Sequence, residues 1–346
     1  MLKKVGFFIV LSCVVFSCDN TKKEEQKQEE KKAEQPSELD EINEQIANNP
    51  GSSNGFYRRA KYYAKQGDLT NATDDINRAL LIDPEVDFLN LEKARILLSQ
   101  ERISDAILYA QKSIEFNPKY FDGHVLLGKL YYINGEYDEA FKHLDESLRL
   151  DQYKAEPYFV KGMLFETLKD SIKAATSFQT AIEQDPNYFD AYYKLAALYY
   201  ERKPDLAIQY LQRAHDIDTS NIHTLRVLGN AFLDKNDFEQ AVLYFNKILQ
   251  INAGYSEAYF FLGKAYINIY DEKANQYTKD TTLSKSIEYF DKAIELYPDY
   301  VQAYYLRGAC YQEKGENSKA IRDYQKSLEI DPQYHIATEA LREMDK

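Results

Sequence analysis

The chain has 346 residues and a formal net charge of −13, with 44% hydrophobic and 29% charged residues. This composition is typical of a folded chain with enough apolar surface for a continuous core, and it excludes a chain that is disordered throughout. Because an acidic chain repels phosphate backbones, we expect no nucleic acid among its partners.

Residues 1–18 have the pattern of a secretory signal peptide. A basic start is followed by an apolar run from Val5 to Phe16, and Ser17 precedes Cys18. The run is shorter than the roughly 20 apolar residues that a transmembrane helix needs. Residues 15–18, Val-Phe-Ser-Cys, resemble the lipobox of bacterial lipoproteins. The resemblance implies that Cys18 is lipidated and becomes the mature N-terminus. An ordinary cleaved signal peptide is the alternative.

Acylation at Cys18 would tether the protein permanently. Each methylene group buried in the bilayer contributes about 0.8 kcal/mol of binding free energy, and two or three acyl chains together hold a protein on the membrane. We therefore expect a protein of the cell envelope, lipid-anchored to a bacterial membrane. Asp19 is a retention signal for the inner membrane in some bacteria and accompanies surface export in others. A composition rich in Asn, Lys, Ile and Tyr favours the bacteria in which this residue accompanies surface export. We therefore expect the anchor to lie in the outer membrane, on its periplasmic or surface face.

Residues 19–37, DNTKKEEQKQEEKKAEQPS, contain no aromatic residue and no aliphatic residue larger than Ala33. Such a segment cannot bury enough surface to offset the entropy lost on ordering, so we expect a disordered charged stalk. Fully extended, it reaches roughly 60 Å. The folded part can therefore stand clear of the lipid.

A short marker, usually Asp-Pro or Asn-Pro, recurs along the rest of the chain. It stands at Pro84, Pro118, Gln152, Pro186, Thr219, Ala253, Pro298 and Pro332. The intervals are 34, 34, 34, 33, 34, 45 and 34 residues, and a fixed period in this range is typical of a repeat array. Within each period, two amphipathic helical patterns flank a turn such as the one at Gly67, which predicts a helical hairpin.

Two columns of the repeat carry only small residues. The eighth position holds Ala60, Ala94, Gly128, Gly162, Ala196, Gly229, Gly263 and Gly308, and the twentieth holds Ala72, Ala106, Ala140, Ala174, Ala207, Ala241, Ser286 and Ala320. Two helices joined by a short turn approach closely only where large side chains are absent at the crossing. The sequence therefore predicts that these columns meet inside each hairpin, and that larger residues at positions 11 and 24 fill the core beside them.

These columns are similar to the signature of the tetratricopeptide repeat family, and the last repeat, VQAYYLRGACYQEKGENSKAIRDYQKSLEIDP, follows that signature almost throughout. The chain departs from it in having no Trp and in a weak second repeat, where Asn90, Lys93 and Ala110 occupy signature positions. The resemblance implies an all-α fold: a right-handed superhelical α-solenoid of about eight helical hairpins, with capping helices and an inner groove.

The period and the resemblance divide the chain further. Residues 38–52 are expected to form an N-terminal capping half-repeat and residues 333–346 a C-terminal capping helix. Between them, residues 53–332 form eight repeats, at 53–86, 87–120, 121–154, 155–188, 189–221, 222–255, 256–300 and 301–332. Repeat 7 carries an insertion at 271–281, which we expect to lengthen both of its helices into a finger. A neutral loop is the alternative.

Two catalytic motifs are matched only in part. Residues 51–55 fit the nucleophile elbow G-x-S-x-G, but that motif needs a preceding strand, and we expect Ser53 or Asn54 to cap a helix instead. Residues 123–129 are similar to a phosphate loop, but Leu130 stands where a Ser or Thr must hold magnesium. Neither motif predicts a reaction.

Side chains of other reactive types show no functional pattern. The five histidines have no i, i+4 pairing, so no metal site is expected. Acids such as Glu166 and Glu201 are expected to be solvated, and Cys310, with no disulfide partner, is expected to be a small buried hydrophobe. We therefore expect that the protein is not an enzyme and that it binds no cofactor and no metal.

The resemblance implies that positions 2, 5, 9, 12 and 13 of the first helices line the groove. There we predict a partner-binding stripe, mostly apolar and aromatic, formed by Tyr57, Leu91, Tyr132, Phe159, Met163, Tyr193, Tyr200, Arg226, Phe260, Ile267 and Tyr305. Exposed aromatic residues are typical interface anchors, because they bury much area for little lost entropy. Packing between neighbouring repeats is the alternative role for the stripe.

These features predict a membrane-tethered scaffold or adaptor that binds other proteins or peptides of the cell envelope through its concave groove. An envelope lipoprotein that binds a glycan or a peptide ligand is the alternative, because tyrosine-rich grooves can stack sugars. A homo-oligomer is compatible with the sequence, but nothing in the sequence indicates one.

Overall fold

The computed structural model describes residues 37–269 and 276–344, and within these ranges the chain forms eighteen helices and no strand. The predicted all-α fold is therefore confirmed. Cys18, with the predicted signal peptide and nearly all of the predicted stalk, lies outside the described residues. Helices α1 to α18 are Glu38–Asn48, Ser53–Lys65, Leu69–Ile82, Asp87–Ser99, Ile103–Phe116, Phe121–Asn134, Tyr137–Leu150, Ala155–Thr167, Ser171–Gln184, Phe189–Tyr199, Pro204–Ile217, Ile222–Asp234, Phe238–Ile251, Ser256–Asn268, Gln276–Leu296, Val301–Glu313, Asn317–Ile330 and His335–Met344.

The helices pack as successive hairpins. In each repeat a first helix packs against the second helix that follows it, from α2 with α3 to α16 with α17, while α1 packs on α2 and α18 on α17. The chain divides into two compact units, an N-terminal unit that ends at Gln152 and a C-terminal unit that begins at Tyr153. Within the described ranges, no helix is both long and apolar enough to cross a membrane.

The two columns of small residues lie inside the hairpins, as predicted. All eight residues at the twentieth position are 0% exposed. Where the eighth position is glycine, a large side chain from position 24 of the same hairpin fills the space that a Cβ atom would need. An added Cβ would lie 2.5–2.8 Å from this side chain in the pairs Gly128 with Leu144, Gly162 with Phe178, Gly229 with Phe245, Gly263 with Phe290 and Gly308 with Tyr324.

The insertion in repeat 7 lengthens one helix rather than two. Helix α14 has 13 residues, like most first helices, whereas α15 has 21 residues and begins at Gln276. The prediction that both helices lengthen is therefore wrong. The extra turns of α15 are braced against α16, where Lys279 forms an ion pair with Glu313 at 2.7 Å, and Leu283 is buried in the core.

A half-buried arginine fork, hydrogen-bonded to a buried aspartate, fixes the first repeat to the helix that precedes it. The Arg59 guanidinium donates to both carboxylate oxygens of Asp75, at 2.6 and 2.8 Å, and to Oδ1 of Asn43, at 2.7 Å. Such bidentate pairs are strong and directional. Asn43 lies in α1, so α1 packs on repeat 1 as the second helix of a preceding repeat would.

The same fork recurs in repeat 8. Arg307 donates to both carboxylate oxygens of Asp323, each at 2.7 Å, and to Oδ1 of Asp291 at 2.5 Å. Burial acts to lower the pKa of Arg307, but the hydrogen bonds and charges of these two carboxylates outweigh it and hold the pKa above its ordinary value. Interior repeats 5, 6 and 7 instead pair Leu with Tyr at the positions of Arg307 and Asp323.

Substitution of Gly229 tests the contact between positions 8 and 24. In Gly229→Ala, the new Cβ would lie 2.6 Å from the Phe245 ring, which is fully buried and cannot move aside. This overpacking destabilises the fold by more than the higher helix propensity of alanine stabilises it. We therefore expect a net loss of about 1–2 kcal/mol in unfolding free energy. Adding Phe245→Leu, which recreates the Ala–Leu pair of repeat 5, should recover most of the loss in a urea titration.

The matched control is Gly51→Ala, because an added Cβ at Gly51 meets no atom within 4 Å. This variant should unfold at the urea concentration of the unsubstituted chain. Equal stability of the Gly229→Ala chain would contradict the account.

Substitution of Arg307 tests the fork. In Arg307→Leu, the Asp323 carboxylate, whose side chain is 10% exposed, loses its partner, and an unpaired buried charge costs about 3–5 kcal/mol. Native-state hydrogen exchange should therefore speed up in α16 and α17. The double variant Arg307→Leu/Asp323→Tyr, which has the pair that repeats 5 to 7 carry, should restore protection; equal exchange in the single and double variants would contradict this.

Candidate docking face

Three of the predicted groove residues, Tyr57, Leu91 and Tyr132, lie in the N-terminal unit. Leu91 is 2% exposed and packs in the interior, whereas Tyr57 and Tyr132 are half-buried. The Tyr57 ring meets the Phe88 ring edge-on, with 5.0 Å between centroids, and the Lys61 ammonium lies 5.4 Å from the Tyr57 centroid. Leu91 therefore belongs to the hydrophobic core and offers no surface to a partner.

The other eight predicted residues lie in the C-terminal unit. Phe260 is 8% exposed, stacks on Tyr300 with 4.8 Å between centroids, and packs in the core beside Phe290. It therefore lies in the interior, as Leu91 does. The remaining seven are half-buried on the first helices or directly after them, and we name this set the docking face: Phe159, Met163, Tyr193, Tyr200, Arg226, Ile267 and Tyr305.

A chain of polar contacts links the middle of the docking face across repeats 5, 6 and 7. Arg226, which can only donate, donates from Nη2 to Nδ1 of His223 at 3.2 Å, so Nε2 of His223 carries the proton and donates to the Tyr193 hydroxyl at 2.6 Å. Nε of Arg226 lies 3.9 Å from the Glu257 carboxylate, which also accepts from the Tyr255 hydroxyl at 3.0 Å. These contacts fix both Tyr193 and Arg226.

Tyr200 is held in the same way, one repeat to the next. Its hydroxyl donates to Oδ2 of Asp234 at 2.8 Å. Burial, and then the hydrogen bond and charge of Asp234, raise the pKa of Tyr200 above its ordinary value, so the hydroxyl keeps its proton. A cavity of about 350 Å³ opens beside the ring, lined by Tyr200, Glu201, Pro204, Ala231, Asp234 and Lys235.

The rings at the two ends of the docking face are packed against other aromatic rings. Phe159 lies 5.1 Å from Tyr188 and 5.5 Å from Phe178 between centroids. Tyr305 lies 5.6 Å from Tyr324 and 5.7 Å from Tyr334. Aromatic pairs at these distances add to the energy of burial. Each of these rings therefore has one side fixed by the repeat array.

The polar members of this surface were missed by sequence reasoning. His223 and Glu257 occupy position 2 of their repeats and Asp234 occupies position 13, so they belong to the same groove positions as the predicted stripe. The predicted stripe was chosen for mostly apolar and aromatic side chains, and this choice left these three polar residues out. The signal that could have found them was the repeat register itself.

The partly matched motifs have structural roles. Ser52, not Ser53 or Asn54, is the N-cap residue of α2, so that prediction is wrong by one residue, and the Ser53 hydroxyl donates to Asp83 at 2.5 Å instead. Residues 123–129 lie inside α6. Cys310 is 1% exposed, and burial raises its pKa to about 12. In the described part of the chain, no group of three or more His, Cys, Asp or Glu could hold a metal ion.

Two histidines meet inside repeat 3. Nε2 of His124 donates to the Pro118 carbonyl at 3.1 Å, so its Nδ1 accepts a hydrogen bond from Nδ1 of His143 at 3.1 Å. The His143 ring also stacks on Tyr131, with 5.5 Å between centroids. Burial, and then the charges of His124 and Lys142, lower the pKa of His143 to about 4.

This pair predicts acid sensitivity of the N-terminal unit. Because the pKa of His143 is lower in the folded state than its ordinary value, its contribution is fully present above about pH 6.5 and is lost as pH falls toward its folded pKa of about 4. After discounting for partial exposure, we expect a loss of about 1–2 kcal/mol in unfolding free energy. The variant His143→Tyr has the tyrosine that repeats 5 to 7 carry at this position. Its urea midpoint should change less between pH 7 and pH 4.5 than that of the unsubstituted chain. An unchanged pH slope would contradict this.

Sequence models of the tetratricopeptide repeat match residues 54–86, 91–155, 173–202, 190–216, 227–255 and 301–334, which together make up more than half of the chain. The chain is 26% identical over 277 residues to the BBSome complex member BBS4 of Bos taurus, a match that covers 78% of this chain and 52% of that protein. It is 23% identical over 163 residues to the anaphase-promoting complex subunit 3 of Schizosaccharomyces pombe, covering 47% and 24%. The chain thus spans about half or less of the length of these relatives.

Among solved structures, the C-terminal part of a TPR repeat-containing protein from Cytophaga hutchinsonii is similar to this chain with a TM-score of 0.60. The two are 19% identical, and the match covers 72% of this chain and 99% of that one. At this level of identity the likeness shows the fold alone. It agrees with the stacked hairpins described above.

Proposed function

We propose, because the chain belongs to the tetratricopeptide repeat family, that it is a membrane-tethered scaffold of the bacterial cell envelope that docks other proteins or peptides. Proteins of this family are in general scaffolds for protein–protein interaction rather than catalysts. Two relatives are named as members of multiprotein complexes, which supports a scaffold role here.

The docking face is the observation that carries this proposal. It presents seven half-buried side chains, six of them apolar or aromatic, along the first helices of repeats 4 to 8. The hydroxyls of Tyr193 and Tyr200 are already bound to the next repeat. Rings that are held in place before binding lose little entropy when a partner covers them, so more of the buried area contributes to affinity.

The membrane tether is a separate part of the proposal. It rests on the resemblance of the segment that ends at Cys18 to a lipobox and on the charged stalk that follows. A tether concentrates the scaffold at one surface, so that weak contacts with envelope partners act at a high effective concentration. The proposal includes an anchor in the outer membrane, on its periplasmic or surface face.

Photo-cross-linking tests the docking face directly. A photoreactive residue at Tyr193 should capture a small set of envelope proteins that can be identified by mass spectrometry. The same residue at Ile172, on second helix α9 and 81% exposed, is the matched control and should not capture them. The variant Tyr193→Ala/Tyr305→Ala should weaken capture at a third site, Met163, by about tenfold or more, while its helical circular dichroism is kept.

Capture from Ile172 with the same partners, or capture that survives the double variant, would remove the docking face from the account. In parallel, Cys18→Ser should release the protein from membranes; retention would remove the lipid anchor. If only a glycan or a free peptide produces heat in calorimetry and no protein is captured, the ligand-binding alternative replaces the scaffold.

A further inference from the structure

The groove positions around the docking face carry a strong charge bias. Of the 25 residues at positions 2, 5, 9, 12 and 13 of repeats 4 to 8, seven are acidic and two, Arg226 and Lys264, are basic. The acids are Glu156, Glu166, Asp190, Glu201, Asp234, Glu257 and Glu313. Acidic residues interleaved with aromatic rings favour a partner that carries both positive charge and apolar side chains.

This bias is not a general property of the repeats. At the same positions of repeats 1 to 3, in the N-terminal unit, one residue is acidic and four are basic. The basic residues are Lys61, Lys65, Arg95 and Lys129. The same register therefore carries opposite charge in the two units, so the acidity around the docking face is a feature of the C-terminal unit itself.

The cavity beside Tyr200 has the chemistry of a pocket for a basic side chain. Its volume of about 350 Å³ is at the lower end of the range for ligand pockets, about 300–1,000 Å³. Tyr200, Pro204 and Ala231 supply apolar lining, and the acidic residues Glu201 and Asp234 also line it. An alkyl stem with a charged end fits such walls, because lysine and arginine bury their stems and keep their charge near polar groups.

The carboxylates of this pocket are available to such a ligand. Glu201 and Asp234 are both exposed, and the Tyr200 hydroxyl that donates to Asp234 occupies one of its two oxygens. Lys235, the basic residue on the pocket wall, is engaged by Asp205. A carboxylate offers about four acceptor sites, so Asp234 keeps room for an incoming ammonium or guanidinium group.

We infer that the docking face binds a segment that alternates basic and apolar residues, and that one Lys or Arg of this segment inserts into the cavity between repeats 5 and 6. The inference rests on the proposed scaffold function and names the chemical class of its partner. The apolar residues lie on Tyr193 and the neighbouring rings. Another basic residue faces the exposed Asp190, because Glu166 and Glu313 are already paired with Lys194 and Lys279.

Synthetic peptides test this inference with the purified full chain. The probe is a 12-residue peptide of alternating Leu and Lys, measured by fluorescence anisotropy; its Leu/Glu and Ser/Lys counterparts separate charge from apolar contact. We expect the Leu/Lys peptide to bind at least tenfold more tightly than the Ser/Lys peptide. Glu201→Gln/Asp234→Asn should weaken Leu/Lys binding by about tenfold and reduce its salt dependence.

The matched control removes two carboxylates elsewhere. Asp216→Asn/Glu239→Gln makes the same change in net charge on second helices α11 and α13, where both residues are exposed, and should change Leu/Lys binding by less than twofold. No binding of the Leu/Lys peptide, equal weakening by both double variants, or a Leu/Glu peptide that responds to Glu201→Gln/Asp234→Asn would each overturn the inference.

These outcomes are distinct from those for the scaffold function. If cross-linking from Tyr193 captures partners but the Leu/Lys peptide does not bind, the scaffold stands and the basic partner class falls. If the peptide binds through Glu201 and Asp234 but no protein is captured, the pocket stands and the scaffold falls.

Discussion

The contact between a small residue at position 8 and a larger one at position 24 sets how closely the two helices of a hairpin approach. In five repeats the small residue is glycine, and the opposing side chain lies where its Cβ would be. Repeats 1 and 5 have alanine at position 8, with Ile76 or Leu211 at position 24. Repeat 2 is the exception, because Ala94 faces another alanine, Ala110. First helices of neighbouring repeats also lie in contact, α12 with α14 and α14 with α16. The docking face depends on close packing of successive repeats, because Tyr193 and Tyr200 each reach a side chain of the next repeat.

Features that follow from the repeat period could be predicted from the sequence. The turn between helices is an example: Gly67, Gly135 and Gly315 have φ of 79°, 81° and 75°, and Glu101, Lys169 and Asn236, in the same register, have φ of 60°, 62° and 60°. The left-handed region costs a non-glycine residue about 1–2 kcal/mol. The packing of the hairpin imposes it on Glu101 and Lys169, so the period predicts this conformation where residue type alone would not.

Features that depend on one particular neighbour could not be predicted. Phe260 occupies a groove position, yet Tyr300 covers it. The same two register positions meet as Phe159 with Tyr188 and as Tyr305 with Tyr334, but those first rings stay half-buried, so the register alone does not predict how far each ring is buried. His124 and His143 lie 19 positions apart and meet only when the hairpin closes. The contact of His223 with Tyr193 also joins two helices, whereas Arg226 lies one turn after His223 in α12. A stripe chosen by groove position and mostly apolar character therefore contained Tyr193 and Arg226 and missed the residue that joins them.

A scaffold of this kind must bind its partner on one side of each hairpin and leave the other side unchanged. Hydrogen–deuterium exchange of the chain, with and without a partner identified by cross-linking, measures this distinction helix by helix. The account predicts slower exchange in first helices α10, α12 and α14 on binding, with little change in second helices α9, α11 and α13. Protection confined to the second helices would contradict it.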